Sequence, residues 1–173
     1  MTLKGIRKYD LIVGSLLIFL LRPTSILLGT LLRRNHDLTI RKQLAIMKIR
    51  GGGSLLLALP ALLALRKKYP DKKFTLVTSA EVKPFAELMG VFNEIVVINT
   101  NSLPATFLTA LFALTKVWRA DGFVNFEIHS KLSTVFSCFS CARNRFGFYH
   151  ETNSFQRDVI THLFFYNITS PVY

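Results

Sequence analysis

Leu44-Ala45-Ile46-Met47-Lys48-Ile49, followed at once by Arg50-Gly51-Gly52-Gly53-Ser54, is the stretch that decides the fold. A mostly apolar run of strand length meets three glycines, and apolar positions then continue at helical spacing over 54–65. That is the pattern of a buried strand turning into a helix. Ser54 is placed to cap the helix, Arg66-Lys67-Lys68 to complement its negative C-terminal end, and Tyr69-Pro70-Asp71 to stop it.

The period repeats downstream. Strands are expected at 74–78, 94–98, 123–126 and near 145–148, separated by helices at 82–89, 103–119 and 130–141. Short β-rich runs alternating with helices predict an α/β fold, a Rossmann-like open and mostly parallel sheet covered on both faces. We place this domain at 44–173, after a basic and hydrophobic segment with a linker at 1–43. In such sheets ligands bind beyond the carboxyl ends of the strands, so the loops at 50–54 and 127–131 are the first candidates.

Half of the 173 residues are hydrophobic, 18% are charged and the mean hydropathy is +0.35, a composition that excludes a disordered chain. The formal charge of +12 calls for an anionic partner. Residues 1–50 hold ten basic against two acidic residues, which is +8 of that charge. These cations bracket two apolar runs, 11–21 and 26–32, separated by Arg22-Pro23, and neither run reaches the ~20 residues a span requires. Arg33-Arg34, where a small-residue cleavage site would stand, argues against a signal peptide. The segment reads as an interfacial or re-entrant membrane anchor, with a tilted span or a helix packed on protein as the alternatives. No nucleic-acid-binding motif accompanies the charge, so nucleic acid is not the expected partner. Cys138 and Cys141 form an isolated C-x-x-C in a helical pattern and read as buried thiols, and the sequon Asn167-Ile168-Thr169 has meaning only in a secretory compartment.

The glycine loop permits a backbone approach that side chains would block, and the helix after it offers free amides to an anionic or hydroxyl-rich ligand. G-x-G-x-x-G fails at Leu56, and no Gly-Lys-Ser/Thr follows, so neither a dinucleotide fingerprint nor a P-loop is present. A plain strand-to-helix turn is the alternative. No His pair stands with a carboxylate at metal-ligand spacing, and no metal is expected.

Met47-Lys48-Ile49-Arg50-Gly51-Gly52-Gly53-Ser54, with Leu59-Pro60-Ala61-Leu62 and Leu65-Arg66-Lys67-Lys68-Tyr69-Pro70-Asp71, resembles glycosyltransferase family 9, which includes the lipopolysaccharide heptosyltransferases. Phe123-Val124-Asn125-Phe126-Glu127 with Ser130-Lys131-Leu132-Ser133 extends the resemblance, as do Phe146-Gly147-Phe148 and Tyr166-Asn167. The resemblance implies the N-terminal, acceptor-side half of a two-domain GT-B enzyme that transfers hexose or heptose from a nucleotide-sugar to a lipid-linked glycan such as lipopolysaccharide core. It also implies work at the cytoplasmic face of a bacterial inner membrane, with no cofactor besides the nucleotide-sugar co-substrate. That sugar would sit on a donor domain beyond Tyr173, carried by a separate chain or a longer protein. Gly51, Gly52, Gly53 and Ser54 would hold the acceptor, with Lys48, Arg50 and Lys131 neutralising its phosphates. Heptosyltransferases place an aspartate where this chain has Ser54, and a hydroxyl does not readily take a proton at neutral pH. Glu127 and then His129 are the expected substitutes for the catalytic base, against the plainer roles of helix cap and hydrogen-bonded surface residue. The alternative for the whole chain is a non-catalytic membrane module that binds glycans or anions.

Overall fold

The computed structural model of the chain describes residues 3–32, 37–127, 130–150 and 168–172. Its centre is β1 (Gln43–Lys48), the run that opened the analysis, whose residues 44–48 are all buried. β2 (Lys73–Ser79) and β3 (Glu94–Ile98) extend the sheet on one side, and β4 (Gly122–Asn125), β5 (Asn144–His150) and β6 (Ile168–Val172) on the other. All five pairings are parallel and the order is β3-β2-β1-β4-β5-β6, so the switch in winding falls beside β1 and β4. The expected strands lie within a residue or two of these bounds. β6 was not expected; it lies on the sheet edge, where its Pro171, paired with Tyr149, needs no inner ladder partner.

Two apolar layers sandwich the sheet. On one face α2 (Gly52–Leu57), α3 (Leu59–Lys68) and α4 (Lys83–Met89) pack Leu55, Leu62, Val82 and Ala86 onto Ile46, Phe74 and Leu76. On the other, α5 (Leu103–Val117) and α6 (Lys131–Phe139) pack Ala113, Val117 and Phe136 onto Met47, Val77 and Phe123. Alternate residues of β1 thus serve opposite cores, as the strand period requires.

Two expectations are corrected. The helix after the glycines starts at Gly52 with Gly51 at its cap position, so Ser54 lies inside the first turn and donates to the Gly51 carbonyl at 3.0 Å instead of capping. This helix also breaks at Ala58 and restarts as α3, with Pro60 in its first turn, where a missing N–H costs nothing.

The 1–43 segment contains α1 (Leu3–Leu32), a single helix that runs through Pro23. Among the described residues no helix is long and apolar enough to cross a membrane. α1 lies against α6 along Asp10, Gly14 and Ile18, spaced one helical turn apart. A Cβ on Gly14 would come within 2.6 Å of the Lys131 Cβ, so the helices approach closely because that position is glycine. Residues 37–43 are knitted to the amino edge of the sheet. Asp121 Oδ2 accepts from the amides of Arg41, Lys42 and Gln43 at 3.0, 2.5 and 3.0 Å, with Arg143 3.4 Å from its other oxygen. Nearby, burial pushes the Glu94 carboxyl up, but the hydrogen bond and charge of Lys73, joined by Lys116, outweigh it and hold Glu94 below its ordinary range.

Candidate functional site

The carboxyl ends of β1, β2 and β4 converge where the sequence placed a site. Gly51 adopts φ +74°, a left-handed conformation that glycine reaches without the clash a Cβ brings. Gly52 is packed, since a Cβ there would meet the Phe85 ring at 2.6 Å. Gly53 is open, with nothing within 4 Å of its Cβ position. The three glycines therefore do three things: they turn the chain, bring α2 against α4, and leave one unobstructed stretch of backbone. Arg50 and Ser54 are exposed beside them.

Glu127 holds this loop in place. Its Oε1 accepts from the Ile49 amide at 2.8 Å and the Arg50 amide at 2.9 Å, and Lys48 Nζ stands 3.6 Å away. The Lys48 and Glu127 side chains are only 10% and 11% exposed, so the Lys48 ammonium lies within the domain. Lys48 also donates to the Phe126 carbonyl at 3.1 Å. Its cation is thus engaged by the protein and is poorly placed to meet a phosphate. Glu127 Oε2 takes no part in these bonds.

The chain that carries Glu127 is itself fixed. The Glu127 amide donates to Asn125 Oδ1 at 2.9 Å, and Asn125 Nδ2 donates to Ser133 Oγ at 3.0 Å. Phe126 stacks on Phe148 with ring centroids 5.4 Å apart. Thr78 and Ser79 donate their hydroxyls to the carbonyls of Lys48 and Ile49, tying the end of β2 to the same loop. His129, the second candidate base, lies outside the described residues.

Lys131 departs from its expected place. Its Nζ donates to Ser15 Oγ at 2.6 Å, so the side chain turns toward α1 and away from the glycine loop. Ser130 caps α6 through the Ser133 amide, and Asp10 of α1 completes the helix start. Asp10 accepts from Ser130 Oγ at 2.8 Å, the Lys131 amide at 3.0 Å and the Leu132 amide at 2.9 Å. A carboxylate from elsewhere in the chain thus occupies the positive end of α6. Asp10 is the only acidic residue before Asp37, yet nothing local names its partner 120 residues away. Asn125, Ser133 and Ser79 likewise acquire their roles only through the fold. Among the described residues no three His, Cys, Asp or Glu side chains gather as metal ligands, and Cys138 and Cys141 form no disulfide and are half-buried, less enclosed than expected.

The chain can thus present one partly unobstructed loop, an adjacent arginine and hydroxyl, and a nearly buried carboxylate with one oxygen outside the loop bonds. Such a set suits a hydroxyl-bearing ligand. The same fold occurs in solved glycosyltransferases. A glycosyl transferase family 9 structure from Veillonella parvula superposes with a TM-score of 0.59 at 15% identity, over 76% of this chain and 36% of that one. The E. coli heptosyltransferase WaaC, solved with ADP-2-deoxy-2-fluoro heptose, gives 0.54 at 16% identity over 76% and 42%, and its ADP complex gives 0.54 at 15% over 76% and 41%. The resemblance read in the sequence is therefore matched in the fold, and the chain spans less than half the length of these proteins. No family model and no curated protein matches the sequence.

Proposed function

We propose that the chain is the acceptor-side half of a heptosyltransferase-like glycosyltransferase that works on a lipid-linked glycan at the cytoplasmic face of a membrane. The observation that carries this reading is the glycine turn after β1, held open by Glu127 at the carboxyl edge of a sheet folded like family 9 enzymes. The Gly51–Gly53 backbone, Ser54 and Arg50 would bind the acceptor sugar and its phosphates. Glu127 would take the acceptor hydroxyl proton through Oε2 while Oε1 keeps the loop in register. A nucleotide-sugar would come from a second, donor-binding half, and basic side chains with helix dipoles would stabilise the departing nucleotide. The apolar segment 11–32 of α1, with its flanking cations, would keep the domain at the membrane surface that presents the acceptor.

A non-catalytic glycan-binding module is the second reading, favoured by Ser54 in place of the family's aspartate and by Glu127's engagement with the loop. Sugar transfer from a panel of nucleotide-sugars to a native lipid-glycan extract, followed by mass spectrometry, separates the two. Transfer by this chain once membranes from its own cell are added supports the glycosyltransferase reading. Acceptor binding without transfer under any of these conditions supports the module.

A further inference from the structure

α5 is apolar on its outer face as well as its inner one, which is unusual for a helix on the outside of a domain. Its inner face, Ala113 and Val117, is buried on the sheet. Its outer face carries Leu103, Phe107, Leu108, Leu111 and Phe112, all exposed, with Phe107 and Leu108 at 64% and 65%. Lys116 is the helix's one charged residue, and it is occupied with Glu94 at 3.5 Å and the Phe112 ring at 5.2 Å. Trp118 and Arg119, both exposed, follow at its C-terminal end.

α1 shows the same division. Gly14 and Ile18 are buried in its seam, while Ile12, Leu16, Phe19 and Leu20 are exposed. Because α1 rests on α6, and α5 and α6 cover the same face of the sheet, the two helices that carry bare apolar surface belong to the same side of the sheet. Apolar surface of this extent marks an interaction site, and a chain of +12 with its cations concentrated at 1–50 complements an anionic one.

We infer that α5 is a second membrane-contacting surface, whose outer face enters the acyl boundary of an anionic bilayer on the same side as α1. This inference rests on the membrane reading proposed for α1. Two contacts on one face of the sheet would lay the sheet along the bilayer. The cleft beyond the strands would then open parallel to the lipid headgroups, where a lipid-linked sugar projects.

The chain has one tryptophan, Trp118, at the end of α5, so its fluorescence reports this contact directly. The full chain is titrated with vesicles of phosphatidylglycerol and phosphatidylcholine and, separately, of phosphatidylcholine alone. We expect a blue shift of Trp118 with the anionic vesicles, and a loss of vesicle affinity of more than about tenfold in the double variant Phe107→Glu, Leu111→Glu. Both positions are exposed, so the variant's far-ultraviolet circular dichroism and thermal midpoint should match the parent. The less perturbing Leu108→Ser should weaken binding in the same direction. Vesicle binding without a Trp118 shift and undiminished by either variant would overturn the inference, leaving α1 as the whole contact. A concentration-dependent dimer broken by the double variant would assign the face to a second copy instead, and protection of α5 by a donor-half polypeptide would assign it to that partner. Sugar transfer to a water-soluble acceptor fragment separates the two proposals. With membranes from its own cell supplying the donor half, retained vesicle binding with no transfer sinks the enzyme reading alone, whereas retained transfer with no α5 contact sinks this inference alone.

Discussion

The two edges of the sheet use the same device and differ in what surrounds it. At the amino edge Asp121 gathers the amides of Arg41, Lys42 and Gln43 beside Arg143; at the carboxyl edge Glu127 gathers those of Ile49 and Arg50 beside Lys48. Each carboxylate ties one flank of β1 to one flank of β4 across about 80 residues of sequence. At the amino edge all three donors converge on one oxygen and the chain runs straight into the strand. At the carboxyl edge the chain leaves into three glycines, one of them unobstructed. The comparison teaches that a carboxylate bound to backbone amides is sufficiently explained as a fastener. A chemical role for Glu127 must show itself in something that Asp121 cannot do.

Glu127→Gln is the sharpest way to break the comparison. Glutamine keeps an oxygen for the Ile49 and Arg50 amides but cannot take a proton, so under the proposed function transfer falls by about 10²–10⁴-fold while acceptor binding persists. Turnover at the parental level would return Glu127 to the status of a fastener. Asp121→Ala carries the next effect, on stability. It removes the acceptor of three amides and the carboxylate beside Arg143, and chemical unfolding should report a loss of about 3 kcal/mol. Gly51→Ala forces a side chain into the left-handed region and should cost about 1–2 kcal/mol, whereas Gly53→Ala, inside α2 with free space around it, should gain about 0.5 kcal/mol. Equal effects at the two glycines would show that the loop conformation differs from the one described.

The smallest effect concerns Glu94 at the amino edge. Its folded pKa lies below its unfolded one, so the stability it contributes is present above the ordinary glutamate value of 4.5 and is lost as pH falls through the folded value. Unfolding followed from neutral pH down through that window should lose stability less steeply in Glu94→Gln than in the parent. Matching slopes would remove Glu94 from the acid response.

The strands were legible because apolar runs of four to seven residues punctuated by Gly, Pro and charged clusters have few other readings. The glycine loop was legible for the same reason. Ser54 was misread as a cap because sequence shows a capping residue type without showing that Gly51 already holds the left-handed turn before it. Lys48 was expected on the acceptor's phosphates because alternation along a buried central strand says nothing of a carboxylate waiting on β4's far end. Lys131 was placed in the cleft by its position after a strand, but its ammonium is taken by Ser15 on a helix that local patterning treats as separate. The misses at Lys48 and Lys131 are long-range pairings, and local propensity carries no information about those.

The clasp between Asp10 and the start of α6 has a consequence for biosynthesis. α1 leaves the ribosome before α6, and its partner amides follow roughly 120 residues later, a delay of about 6–24 seconds at ordinary elongation rates. Throughout that interval neither the carboxylate of Asp10 nor the seam around Gly14 has a counterpart in the nascent chain. Under the membrane reading proposed above, a bilayer beside the ribosome would meet the greasy side of α1 before α6 exists, and the order of translation would give lipid first access to the helix.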